Sequence, residues 1–215
     1  MKVTTTFLLA GAGLAVVGVT ACGASNPLAA PTRSSVGASG STGAGGSLPT
    51  PSGSAATESN PPGDIPDTQA YVDFAPPGGP VTVKVPEGWA KSSTSSSTSF
   101  TDKLNRIEVR LSTTGSAPTP SSLTTADVPT LQKAVPSFSQ PKVTSDNRTA
   151  GPVLVLTYQG DSAIDPVTGK VVRDAFEQYT FYRNGSRVDL TLSGPVNADN
   201  VDPWRMVSDS LRWTR

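Results

Sequence analysis

Apolar side chains recur at every second position in three separated stretches of the chain, and this period constrains its architecture more than any other feature. Val81, Val83 and Val85 alternate with Thr82 and Lys84, Ile107, Val109 and Leu111 with Glu108 and Arg110, and Val188, Leu190 and Leu192 with Asp189 and Thr191. Successive side chains of a strand point to opposite sides of a sheet, so each stretch is predicted to be a strand with one face on a core. Residues 153–158 are instead an unbroken aliphatic and β-branched run between Gly151-Pro152 and Gly160-Asp161, the pattern of a central strand covered on both faces. The aromatic stretch 176–182 leads through Asn184-Gly185 into residues 186–193. Asn-Gly is the strongest short hairpin signal, because both turn residues must take positive φ. Antiparallel pairing follows.

Two helices fit among these strands. Over residues 125–135, Val128, Leu131 and Val135 fall at i, i+3 and i+7, with Pro129 placed in the first turn and Pro136 ending the helix. Near the chain's end Asp202 is predicted to cap, Pro203 takes the first helical position, and Trp204, Val207 and Leu211 form the apolar stripe. Trp213 then reads as a core or sheet-edge aromatic.

Ahead of the strands the composition changes abruptly. Of the 44 residues from 23 to 66, 35 are Gly, Ala, Ser, Thr or Pro, and only Arg33, Glu58 and Asp64 are charged. Such a segment buries too little apolar surface to offset its ordering entropy, so it is predicted to be a disordered linker. At about 5–6 Å times the square root of its length, it spans roughly 35–40 Å. Further upstream, Lys2 precedes a thirteen-residue apolar stretch, 7–19, that ends in Val19-Thr20-Ala21-Cys22. A bilayer-spanning helix needs about 20 apolar residues, so residues 1–21 read as the signal peptide of an exported protein. The ending resembles the lipobox of bacterial lipoproteins, with cleavage between Ala21 and Cys22 and a diacylglyceryl group on the new N-terminal thiol. Cys22 is the single cysteine of the chain. With two or more acyl chains on it, Cys22 would anchor the protein to the outer face of the membrane.

Residues 67–215 are long enough for one domain, and their 15 Lys and Arg balance 15 Asp and Glu without blocks of one sign. A neutral, interspersed charge pattern argues against nucleic acid as a partner. The domain has neither Cys nor His. Disulfide stapling, Cys-His or Ser-His-Asp catalysis and the usual zinc sites are therefore closed to it. No cofactor motif occurs.

The remaining polar clusters have structural explanations. Asp161 and Asp165, four apart, have the residue types of a cation site or a carboxylate pair, set against the favoured reading as a turn-rich hairpin loop that runs through Thr168-Gly169. Asn197, Asp199 and Asp202 lack the length and terminal Glu of a calcium loop and suit helix capping. The Ser and Thr residues of 92–99 have no His and no Ser-x-x-Lys base, and read as a polar loop. No metal ligand set and no catalytic residue is assigned.

Taken together, Val81-Thr82-Val83-Lys84-Val85-Pro86-Glu87-Gly88-Trp89, Phe100-Thr101-Asp102, Ile107-Glu108-Val109, the 151–158 strand, the 176–182 aromatic strand and the helix of 204–213 resemble the PsbP-like fold, and more narrowly the LpqN and LpqT type of actinobacterial lipoproteins. The resemblance implies an α+β fold, a PsbP-like α/β sandwich with a largely antiparallel sheet and flanking helices. It also implies an accessory or scaffolding role, and brings no active-site residue with it.

The expected functional surface is the polar side of the sheet, where Lys84, Glu108, Arg110 and Asp189 would form a mixed-charge ladder, set against a reading as solvated cross-strand pairs. Trp89 is the other candidate, an indole beside Ser and Thr able to stack on a sugar or lipid, set against a buried plug. Three functions follow. A non-enzymatic envelope module that positions a protein partner is favoured. A lipid or glycolipid carrier would need an apolar cavity of about 300 Å³ or more. A carboxylate hydrolase would need two acids facing one cleft, roughly 5–9.5 Å apart.

Overall fold

In the computed structural model, which describes residues 62–164 and 169–214, the alternating stretches become strands of two sheets. Strands β1 (Tyr71–Phe74), β2 (Val81–Pro86) and β10 (Arg212–Trp213) form the smaller sheet, in the order β1-β2-β10. The larger sheet contains β3 (Ala90–Ser93), β4 (Ser97–Asp102), β5 (Asn105–Thr113), β6 (Ser139–Arg148), β7 (Gly151–Asp161), β8 (Arg173–Arg183) and β9 (Ser186–Pro195). Its order is β3-β4-β5-β9-β8-β7-β6, and every pairing is antiparallel. The class is α+β, as the strand pattern and the resemblance predict.

The main core lies between one face of the large sheet and a layer made of β2 and the helix α3 (Val201–Ser210). Val81, Val83 and Val85 come from β2, Ile107 and Val109 from β5, Val188, Leu190 and Leu192 from β9, and Trp204 and Val207 from α3. Each fully buried aliphatic side chain contributes about 1.5–3 kcal/mol. The β8–β9 hairpin turns at Asn184 and Gly185, with φ of 50° and 82°, the pair of positive angles that the Asn-Gly signal predicts. Strand β7 is the second strand from an edge, yet both its faces are covered: Val153 and Val155 join the main core, while Leu156 and Tyr158 point the other way.

Those opposite-facing residues meet the helical segment of α1 (Pro120–Ser122), a π-turn (Leu123–Asp127) and α2 (Val128–Ala134). Leu123, Leu156 and Tyr158 form a second core, with Val128, Leu131 and Val135 packed against it, so the predicted apolar stripe is observed. The predicted start at residue 125 is too late. Thr119 and Ser122 form a reciprocal capping box that begins the helical backbone five residues earlier. Pro129 does fall in the first turn of α2, but helical backbone continues ahead of it through α1 and the π-turn. Proline lacks an N–H and crowds the carbonyl four residues back, and the turn ahead of it widens, with the Val128 N–H donating to the Leu123 carbonyl.

Three further expectations are corrected. Asp202 lies in the first turn of α3 without capping it; Asn200 holds the N-cap position, and its side chain is spent elsewhere. Its Nδ2 donates to the Gly63 carbonyl and to Asn105 Oδ1, each at 3.0 Å, and its Oδ1 accepts from the Ile65 N–H at 2.8 Å. That network draws 63–65, assigned by composition to the linker, into the fold, with Ile65 in the main core. The Ser/Thr run is a hairpin instead of a loop: β3 and β4 pair with each other, β4 pairs with β5, and Thr98 and Ser99 are buried. A partner strand satisfies the backbone, and Ser93 and Thr98 hydroxyls meet at 3.1 Å, so polar side chains need not expose the segment.

Candidate binding groove

The large sheet's second face is only partly covered by the helical segment. Beside that segment β5 raises Arg106, Glu108 and Arg110, β9 supplies Asp189, Thr191 and Ser193, and β8 supplies Phe176 and Gln178. Register places Arg106 opposite Ser193, Glu108 opposite Thr191, and Arg110 opposite Asp189; Thr191 and Ser193 in turn face Gln178 and Phe176. The opposing wall is helical, with Ala126, Asp127, Thr130, Leu131, Ala134 and Val135. Between the walls lies an open groove of about 590 Å³.

Two ion networks flank it. Arg106 and Arg110 each donate from Nη2 to a different oxygen of Glu108, both at 2.7 Å. Burial alone would raise the Glu108 carboxyl, but the hydrogen bonds and charges of the two guanidiniums outweigh it and hold the group below its ordinary range. Across the groove Arg187 donates to Asp127 and, from Nε at 2.9 Å, to Asp189, which also accepts from the Thr180 hydroxyl at 2.7 Å. Burial dominates at Asp189 and raises its carboxyl despite these donors. The first network carries one surplus positive charge and the second one surplus negative charge.

The floor between them is polar and underused. Gln178 and Ser193 are 6% and 5% exposed. The Gln178 amide reaches only Thr180 Oγ1, at 3.5 Å. The hydroxyls of Thr191 and Ser193 have no hydrogen-bond partner among the described residues. At the apolar end Phe176 stacks on Tyr158, with ring centroids 4.6 Å apart. On the same face of β8 Asp174 is buried and its Oδ1 has no donor. Burial first, then the charge of Asp161, push the Asp174 carboxyl up to about 6.

Of the residues the sequence singled out, Glu108, Arg110 and Asp189 are brought together in this groove. Lys84 is not: its strand belongs to the smaller sheet, where its ammonium lies 3.6 Å from Asp73. Alternation fixes a residue's face within its own strand, not the sheet that strand joins. Trp89 is half-buried against the main core and does not line the groove. Asp161 is paired with Ser137 and Arg173, whereas Asp165, Ala21 and Cys22 lie outside the described residues. Arg106 and Arg187 were missed, although each shares the alternation of a predicted neighbour. Asp127, Gln178 and Asp174 carried no signal, since only the placement of the helix and of β8 gives them a role.

Fold and groove together define an α+β protein with a polar cleft on the helix-covered face of an antiparallel sheet. The chain is similar to three solved structures, each at low identity. With cyanobacterial PsbP from Synechocystis sp. PCC 6803 it shares 12% identity over 70% of this chain and 98% of that one, at a TM-score of 0.45. With LpqN, involved in cell envelope biogenesis of Mycobacterium tuberculosis, the identity is 16% over 69% and 93%, at 0.42. With the Saccharomyces cerevisiae Ran-binding protein Mog1p it is 9% over 68% and 97%, at 0.47. No family model and no curated protein matches the chain.

Proposed function

We propose that the chain is a non-enzymatic binding module of the cell envelope, tethered to the outer face of the membrane through lipid on Cys22, and that it holds an envelope partner by a polar group seated in the groove. The observation that carries this reading is the floor: the hydroxyls of Thr191 and Ser193 line the cavity with no hydrogen-bond partner among the described residues, and the Gln178 amide beside them makes only a long contact, 3.5 Å, to Thr180 Oγ1. These groups face the open groove, where water can hold them, so a polar occupant can take over their hydrogen bonds, whereas an apolar one would strip that water at about 1–3 kcal/mol per group.

The same floor weighs against an acyl-chain carrier. The groove exceeds the volume such a carrier needs, but a hydrocarbon would strand those groups. It also supports binding over hydrolysis. All three acids of the groove are engaged: both oxygens of Glu108 are taken by guanidiniums, Asp189 is held by Arg187 and Thr180, and Asp127 by Arg187, so none stands free as nucleophile or proton donor.

A photoreactive residue at Thr130, on the helical wall, tests the proposal against one at Lys133, which is exposed on the same helix and does not line the groove. Irradiation in the native envelope should give a defined adduct from position 130 that position 133 does not form. No adduct from 130, or the same adducts from both positions, would refute the groove as the binding place.

A further inference from the structure

We infer that the groove's ligand is a small anionic polyol, a sugar-like ring that carries one carboxylate or phosphate. This rests on the groove being the binding place and goes further by naming the chemistry that fits it. The acid group belongs at Arg106 and Arg110. Each spends only Nη2 on Glu108, and their side chains remain 46% and 55% exposed. A guanidinium presents five N–H donors in a planar fork, so both retain donors for a second anion, and their surplus positive charge favours one. Both cations on this wall are arginines, the side chain suited to bidentate recognition of carboxylate and phosphate.

The hydroxyls belong on the floor. Ser193 and Thr191 are the direct cross-strand neighbours of Arg106 and Glu108, and Gln178 is the next residue beyond Thr191. Neighbouring strands lie about 4.8 Å apart, so the floor groups begin about one strand spacing in from the arginine row and continue a second. A single ring with an acid at one edge and hydroxyls at the other spans that interval. The volume lies in the small-molecule range of roughly 300–1,000 Å³.

Other occupants fit worse. An alkyl acid would satisfy the arginines but displace water from the Thr191 and Ser193 hydroxyls without replacing it, and leave Gln178 only its long contact to Thr180. An extended peptide binds a sheet through free backbone groups at an edge, but β5, β9 and β8 are interior strands, paired on both sides. Thr130 offers little polar competition from the helical wall, because its hydroxyl already donates to the Ala126 carbonyl at 2.8 Å.

Isothermal titration of the detergent-solubilised full chain with D-glucuronate, D-glucose 6-phosphate, D-glucose and cyclohexanecarboxylate tests the inference. At least one acid sugar should bind saturably, ten-fold or more tightly than both glucose and cyclohexanecarboxylate, and the better of the two identifies the acid group. Arg106→Gln and Arg110→Gln should each weaken that binding at least ten-fold while circular dichroism shows the protein still folded at the titration temperature, and Lys133→Gln, outside the groove, should leave it unchanged. Thr130→Trp should abolish it. Binding of cyclohexanecarboxylate as tight as that of the acid sugars, or no saturable binding of either acid sugar, overturns the inference. A Thr130 adduct that persists in that second case keeps the groove as a binding place and removes only the polyol.

Discussion

Asp174 gives the sharpest test of the electrostatics of the helix-covered face. It stands opposite Gly160 on β7 and Pro195 on β9, is 5% exposed, and has an Oδ1 with no donor. Its carboxyl is pushed up to about 6 by burial and then by the charge of Asp161. In the unfolded chain an aspartate ionises near 3.9. Between these values the native state keeps a proton that the unfolded chain has released, so stability falls as pH rises through the window. The loss is absent well below 3.9 and complete above about 6.

At about 1.4 kcal/mol per pH unit the interval sets a ceiling of about 3 kcal/mol, and solvent screening at the sheet's end brings the expected loss to roughly 1–2 kcal/mol. Asp174→Asn has nearly the shape of the protonated acid and carries no charge at any pH. Urea unfolding of the full chain at pH 7.5 should show the variant more stable than the parent by that amount, and at pH 4 the difference should shrink below about 0.5 kcal/mol. A difference of constant size at both pH values would refute the reasoning, because it would come from shape and not from charge. A variant less stable at pH 7.5 would refute it outright, since the ionised carboxyl would then be holding the fold together.

Two other predictions probe the ends of the chain's logic. A Cβ at Gly194 would lie 2.4 Å from Asn105 Oδ1 and 3.0 Å from Asn200 Nδ2, so Gly194→Ala should break the network that ties 63–65 to α3 and lose about 2 kcal/mol or more in urea unfolding; a loss under about 0.5 kcal/mol would show that the network gives way freely. Cys22→Ala should move the protein from the membrane fraction to the soluble fraction or leave it as unprocessed precursor, and unchanged acylation with membrane retention would end the tether assignment.

What the sequence made legible follows the range of the forces involved. Alternation is local, so the faces of β5 and β9 could be read residue by residue, and the β8–β9 hairpin turns on two adjacent residues, Asn184 and Gly185. The pairing of β5 with β9 is a contact between distant segments, and no local pattern encodes it. Lys84 shows the consequence: it obeys the same alternation as Glu108, yet β2 joins β1 and β10 instead of β5. Caps were misread for a related reason. Asp202 has the right side chain, but the N-cap position fell to Asn200, whose amide is committed to Gly63, Ile65 and Asn105, a set of partners scattered along the chain.

The groove itself is the clearest case. Glu108, Arg110 and Asp189 on an open sheet would be ordinary solvated charges, each cross-strand pair contributing about 0.2–1 kcal/mol. They become a site because Leu123, Leu131 and Val135 dock the helical segment on Leu156 and Tyr158, which places a wall over part of the polar face and leaves the remainder as a cleft. Gly160 makes that docking close: a Cβ there would lie 2.2 Å from Val135 Cγ1, so the strand can accept the helix's end only without a side chain. The apolar stripe of the helix was legible, and so was the polar face of the sheet. Their juxtaposition was not, because nothing in either pattern states which part of the face the helix covers. The uncovered part, with the Thr191 and Ser193 hydroxyls unpaired on its floor and Gln178 held only by a long contact to Thr180, is where binding chemistry can reside.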